Sequence, residues 1–167
     1  MEITTVEQAK ETILRWLKEN HHQIDEFKDE NANFHFEIDF PVGTMKKQRI
    51  IQPKDYPQLV LVLNGVSIAP EHAEKLRKMK EEEREEFYNE IRKELMFSEV
   101  SYDLNLDQEG IAKQVQFSYE FYFDGLTKTQ TFKALLFNYR VLMYFVTKFN
   151  DKFGIPEMKQ APETLNV

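Results

Sequence analysis

The sequence predicts an α+β domain of two layers, an antiparallel five-stranded sheet with three helices in the order α-β-β-β-α-β-β-α. Three observations predict it. The stretch "NFHFEIDF" (Asn33 to Phe40) alternates apolar and polar residues, the period of a strand with one packed and one solvated face. Two further alternating runs, "SEVSYDLNL" and "KQVQFSYEFYF", flank a turn containing Asp107-Gln108-Glu109-Gly110 and read as a hairpin. Three other segments repeat apolar residues at helical spacing.

The first helix runs from about Thr5 to Asn20. Thr5 caps it with Gln8 as the capping-box partner, and Val6, Ala9, Ile13, Trp16 and Leu17 share one face. After "NFHFEIDF" the turn Pro41-Val42-Gly43 leads to a second strand, about Met45 to Gln52, and "PKDYP" leads to a third, Gln58 to Asn64. This third strand does not alternate. Its run "LVLVL" is apolar on both sides, so cover is expected on both. The following "GVSI" either extends the strand or begins another.

Pro70 suits the first turn of a long helix reaching about Met96, with Leu76, Met79, Phe87, Ile91 and Leu95 as its stripe. Inside it "KEEEREE" is charged all round, so that turn is either solvated on every side or broken. The hairpin follows, and after Asp124-Gly125 the last helix spans about Thr129 to Phe153, closed by Gly154 and Pro156. It is apolar on two broad faces, so it is expected to be buried on two sides. A single domain over 1–155 and a polar tail over 156–167 complete the chain.

With 167 residues, 41% of them hydrophobic, the chain is long enough to build a core without crosslinks. The absence of cysteine excludes disulfides, thiolate catalysis and zinc ribbons. The N-terminus lacks the basic and apolar regions of a signal peptide, and no window approaches the ~18 apolar residues of a membrane span, so a cytoplasmic location is expected. A net charge of −7 argues against nucleic acid, which needs clustered cations, and "MKKQR" is too short a patch to offset it.

Chemistry is harder to find. His35, Glu37 and Asp39 form the polar side of the first strand, but neighbours of one side stand ~6.6 Å apart, at ~3.3 Å per residue, so all three cannot share one ion. The plainer reading is a solvated face. Glu19-x-x-His22 is half of a di-metal motif whose second half is missing, and histidine is favoured in a last helical turn anyway. The pairs Glu81/Glu85 and Glu82/Glu86 belong to a charged helix surface. The glycines are too dispersed for a phosphate loop, no nucleophile elbow is present, and the aromatics of "FSYEFYF" read as core. No catalytic, cofactor-binding or metal-binding residue is therefore assigned.

The order of elements, taken whole, resembles the type III secretion chaperone-like fold, and also a family of uncharacterised proteins from archaea and clostridia, over nearly the whole chain to about Phe153. The resemblance implies a homodimer that holds a polypeptide on exposed apolar surface, with no cofactor. Leu76, Met79, Phe87 and Ile91 are the candidate interface residues. The leading expectation is a non-enzymatic protein- or peptide-binding module. The competing one is a metal- or small-ligand-dependent enzyme using the polar sheet face around His35 and Glu37. A subunit completing a larger assembly is a third.

Overall fold

The computed structural model of the chain describes residues 3–157. The expected tail therefore lies, beyond residue 157, outside the described residues. Helix α1 (Val6–Glu19) begins at Thr5, whose side chain accepts from the Gln8 amide while the Gln8 side chain bonds back to the cap, the reciprocal box expected. Strands β1 (Ile24–Glu26), β2 (Ala32–Asp39), β3 (Lys47–Pro53) and β4 (Leu59–Ser67) follow. Helices α2 (Pro70–Lys78) and α3 (Glu81–Leu95) precede strands β5 (Ser101–Leu106) and β6 (Ala112–Tyr122). A 3-10 turn at Phe123–Gly125 leads into α4 (Lys128–Phe153). The strands form one antiparallel sheet in the order β1-β2-β3-β4-β6-β5.

Among the described residues the sheet has six strands, not five. The additional β1 is only three residues long, too short to show a period, and exists through its pairing, Ile24 with Ile38 and Glu26 with Phe36. "GVSI" extends β4, since Gly65 and Val66 pair with Gln116 and Val115.

Among the described residues there are four α-helices, not three, because the segment from Pro70 to Met96 breaks at Met79 and Lys80, whose backbones are extended. The charges on either side suit two helices better than one. Lys75, Arg77 and Lys78 lie in the last turn of α2, and Glu81, Glu82 and Glu83 in the first turn of α3, each complementing the dipole of its own helix end. Arg84 then reaches back, donating to the Leu76 carbonyl at 3.4 Å and to the Glu109 carbonyl at 3.0 Å.

The core lies between the helices and one sheet face. Phe36 and Ile38 of β2, Ile50 of β3, Val60 and Val62 of β4 and Phe117 of β6 all enter it. Helix α4 crosses β4 and β6 and touches the other three helices. Phe87 packs on Phe149 (5.2 Å between centroids) and on Phe153 (5.3 Å), whereas on the second apolar face Phe145 is buried and Phe137, Val141 and Tyr144 are only half-buried, so burial on two sides is incomplete. Helix α2 closes the C-terminus of α4. Its His72 donates to the Gly154 carbonyl at 2.7 Å and Lys75 to the Phe153 carbonyl, two of the acceptors a helix end leaves unpaired.

The expected cover on both sides of "LVLVL" is not found. Val60 and Val62 are buried beneath α4, but Leu61 and Leu63 point the other way and are only half-buried. They stay partly dry because β3 and β6 flank them, with Ile51 beside Leu61 and Arg49 beside Leu63.

Candidate functional site

The sheet face away from the helices is the surface on which polar chemistry collects. Register fixes what stands there. Asp25, Glu37 and Arg49 lie abreast, followed by Leu63, Ser118 and Ser101. The next row carries His35, Ile51, Leu61 and Glu120. At its centre is a small apolar stripe, Ile51, Leu61 and Leu63, none of which belongs to the main core. Around the stripe, the outward strand positions carry five carboxylates (Asp25, Glu37, Asp39, Asp103 and Glu120) against the cations Lys47 and Arg49.

Both cations are engaged. Lys47 lies 3.1 Å from Asp39, 3.7 Å from Asp25 and 3.9 Å from Glu37, and the hydrogen bond to Asp39 is the largest influence holding its ammonium pKa above the ordinary value. Arg49 donates to Glu37 at 3.3 Å. These pairs are exposed to solvent, so they orient the side chains more than they stabilise the fold.

Beside the stripe the sheet opens. Pairing between β3 and β4 runs from Ile51↔Leu61 to Arg49↔Leu63; beyond it β3 continues only with β2, and β4 only with β6. A hollow of about 280 Å³ occupies this fork, lined by Lys47 and Arg49 on one side and by Gly65, Ser67, Gln114 and Gln116 on the other. Gly65 has a steric reason to be there, since a Cβ on it would stand 2.7 Å from the Val115 carbonyl oxygen.

Under the fork, on the helix side, lies a group of amides that is not among the expected site residues. Gln48 donates to the Leu135 carbonyl and Asn138 to the Val62 carbonyl, each at 2.8 Å. Gln48 Oε1, Asn138 Oδ1 and both carboxamide atoms of Asn64 are buried with no hydrogen-bond partner in the protein. A signal for them exists in the chain: Gln48 and Gln52 stand on the same side of β3 as Ile50, and Asn64 on the same side of β4 as Val62, so polar residues occupy inward positions.

The expected candidates fall at separate places. His35 faces Asp29, with 3.1 Å between its Nδ1 and the carboxylate, and its ring lies 5.4 Å from Phe27. The Asp29 pKa is held low, first by the Asn31 amide and then by His35. Glu37 turns instead to Arg49 and Lys47, so His35 and Glu37 are neighbours with separate partners. His22 is buried, donating to the Asp39 carbonyl at 3.0 Å and stacking on Phe40, whereas Glu19 pairs with Lys128. Among the described residues no three His, Asp or Glu side chains are grouped to hold a metal ion. Leu76, Phe87 and Ile91 are inside the core, and Met79 is packed partly against it. Their burial in a single chain leaves little apolar surface there for a second one. Among the described residues no helix is long and apolar enough to cross a membrane.

Comparison with known proteins matches this architecture. A crystal structure of an uncharacterised protein from Methanothermobacter thermautotrophicus superposes with a TM-score of 0.82 at 28% identity, over 87% of this chain and 99% of that one. The crystal structure of YbjN from E. coli superposes with a TM-score of 0.53 at 11% identity, over 93% of this chain and 100% of that one, a likeness of fold alone. No functionally curated protein matches the sequence. The model of one family, described as an uncharacterised conserved protein (DUF2299), matches residues 9–149, and the chain belongs to that family.

Proposed function

We propose that this chain is a non-enzymatic polypeptide-binding module of the cytoplasm, chaperone-like in the sense that it holds a client segment, and that the client lies on the helix-free sheet face. The observation that carries the reading is the stripe of Ile51, Leu61 and Leu63, apolar side chains left only partly buried at the centre of a sheet whose other face carries the core. Contiguous apolar surface with a polar rim is the usual form of a protein-interaction site. The excess of carboxylates around the stripe favours a client with basic residues flanking apolar ones, because complementary charge steers the encounter and rejects acidic competitors. The fork beside the stripe adds amide and hydroxyl groups from Gln114, Gln116 and Ser67 that suit a polypeptide backbone.

The test uses the full chain and fluorescein-labelled peptides that vary independently in apolar and basic content. Fluorescence anisotropy should show binding that requires both kinds of residue and weakens with added salt. L61D and L63D should each reduce affinity at least ~10-fold while leaving the circular dichroism unchanged, as expected when the centre of a contact is replaced by charge. Binding indifferent to both substitutions would overturn the reading. So would a stoichiometric divalent ion lost on H35A, which would favour chemistry at His35 and Glu37.

A further inference from the structure

The two edges of the sheet are not alike. Strand β1 is three residues long and is guarded by charge, with Lys10 2.6 Å from Glu26 and Lys47 3.7 Å from Asp25. Short, charged edges of this kind resist pairing with another strand. The opposite edge, β5, is six residues long, Ser101–Leu106, and contains neither lysine, arginine nor proline. Among the described residues, no backbone or side-chain hydrogen bond from outside the hairpin reaches the main chain of β5.

Two more features sit with this edge. On the helix side Tyr102, Leu104 and Leu106 are only half-buried, so the core is incompletely closed there. In the connection before the strand, Phe97 is 92% exposed and Met96 67% exposed, the former the most exposed large apolar side chain among the described residues.

We propose that β5 is a homodimer edge, paired antiparallel with β5 of a second copy so that the two sheets become one. Of the registers that pair five residues of β5 with one another, one is self-complementary. Antiparallel pairing about a two-fold axis must keep helix-side residues opposite helix-side residues, so the centre falls on a residue. Centring on Asp103 sets two carboxylates face to face, and centring on Asn105 sets Asp103 against the partner's Asp107. Centring on Leu104 avoids both. It puts Leu104 against its own copy, Tyr102 against the partner's Leu106, and Asp103 against the partner's Asn105, whose amide can donate to the carboxylate. The three half-buried side chains of each β5 then meet those of the other and close both cores, which is why a second copy fits this edge better than an unrelated strand. This inference goes beyond the client-binding face and does not depend on it.

Sedimentation velocity on the full chain tests it, together with amide hydrogen exchange. The protein should sediment at twice the chain mass at micromolar concentration, with β5 amides exchanging as slowly as those of β6. L104R puts two guanidinium groups across the axis and should raise the dimer dissociation constant at least ~10-fold, since juxtaposed like charges cost several kcal/mol and each 1.4 kcal/mol is tenfold. Y102K is a second variant should L104R fold poorly, and in either the β5 amides should become fast while those of β4 stay slow. A monomer with fast β5 amides in the unaltered protein would overturn the proposal. A dimer that survives both variants, with β5 still exchanging quickly, would place the interface elsewhere and overturn it equally.

Discussion

The Asn138 carboxamide nitrogen donates to the Val62 carbonyl oxygen at 2.8 Å, joining the middle of the longest helix to the central strand. Asn138 is fully buried. Replacement by alanine removes the bond and leaves a void, and N138A is expected to cost about 2 kcal/mol or more. Asn64 is the counterpart, since neither of its carboxamide atoms has a partner in the protein. N64L, of similar volume, should be neutral or stabilising by up to about 1 kcal/mol, because no protein hydrogen bond is lost. Urea midpoints moving in opposite directions would support this reading of the amide group. An N64L loss as large as that of N138A would show that Asn64 is bonded through solvent.

Tyr88 bonds α3 to the β5–β6 turn, its hydroxyl accepting from the Ala112 amide at 3.0 Å and donating to the Gly110 carbonyl at 3.2 Å. Y88F leaves a buried amide unpaired and should cost about 1–3 kcal/mol in denaturant. Burial also raises the Tyr88 pKa above the ordinary 10.0. A group whose pKa is raised by folding contributes stability fully below its unfolded value and loses it as pH climbs through the folded one. Stability of the unaltered protein should thus fall above pH 10.0, and Y88F should make that fall shallower without abolishing it, because the Tyr119 and Tyr144 pKa values are raised as well.

Gly65 tests how closely β4 and β6 must approach beside the fork. An added methyl group meets the Val115 carbonyl, an oxygen of the backbone rather than of a side chain that can swing aside. G65A should therefore destabilise by about 1–3 kcal/mol, the usual cost of overpacking. A urea midpoint equal to that of the unaltered protein would show that β4 and β6 can separate locally at no expense.

The elements with strong periods are legible in the amino-acid sequence itself. "NFHFEIDF" and the β5–β6 hairpin alternate, and the sheet places Phe34, Phe36 and Ile38 inward and His35, Glu37 and Asp39 outward as the alternation requires. The Thr5–Gln8 box is readable because both partners lie within one helical turn. What escapes depends on residues distant in sequence. Ile24–Glu26 is a strand only because Phe36–Ile38 lies beside it. The break between α2 and α3 is visible as a charged stretch, but the closure of Leu76, Phe87 and Ile91 into the core depends on α4 and the sheet beneath it. No local pattern distinguishes a stripe facing its own core from one facing a partner. Leu61 and Leu63 mislead for the opposite reason. Apolar residues on both sides of a strand suggest cover on both, whereas here Leu61 and Leu63 are shielded only at their sides, by the flanking strands β3 and β6.

The strand order has a kinetic consequence. β1 to β4 follow one another and pair with their chain neighbours, and β5 pairs with β6 across a short turn. Only the seam between β4 and β6, running from Leu59↔Tyr122 to Ser67↔Gln114, joins the two groups, and the whole of α2 and α3 lies between its strands in the chain. Closing so long a loop costs entropy before the seam's contacts repay it, whereas the hairpins on either side close cheaply. The seam should be the slow step of folding, with the two groups of strands organised beforehand. A covalent crosslink between β4 and β6 would then accelerate refolding much more than the same crosslink between β2 and β3, where the ends already meet.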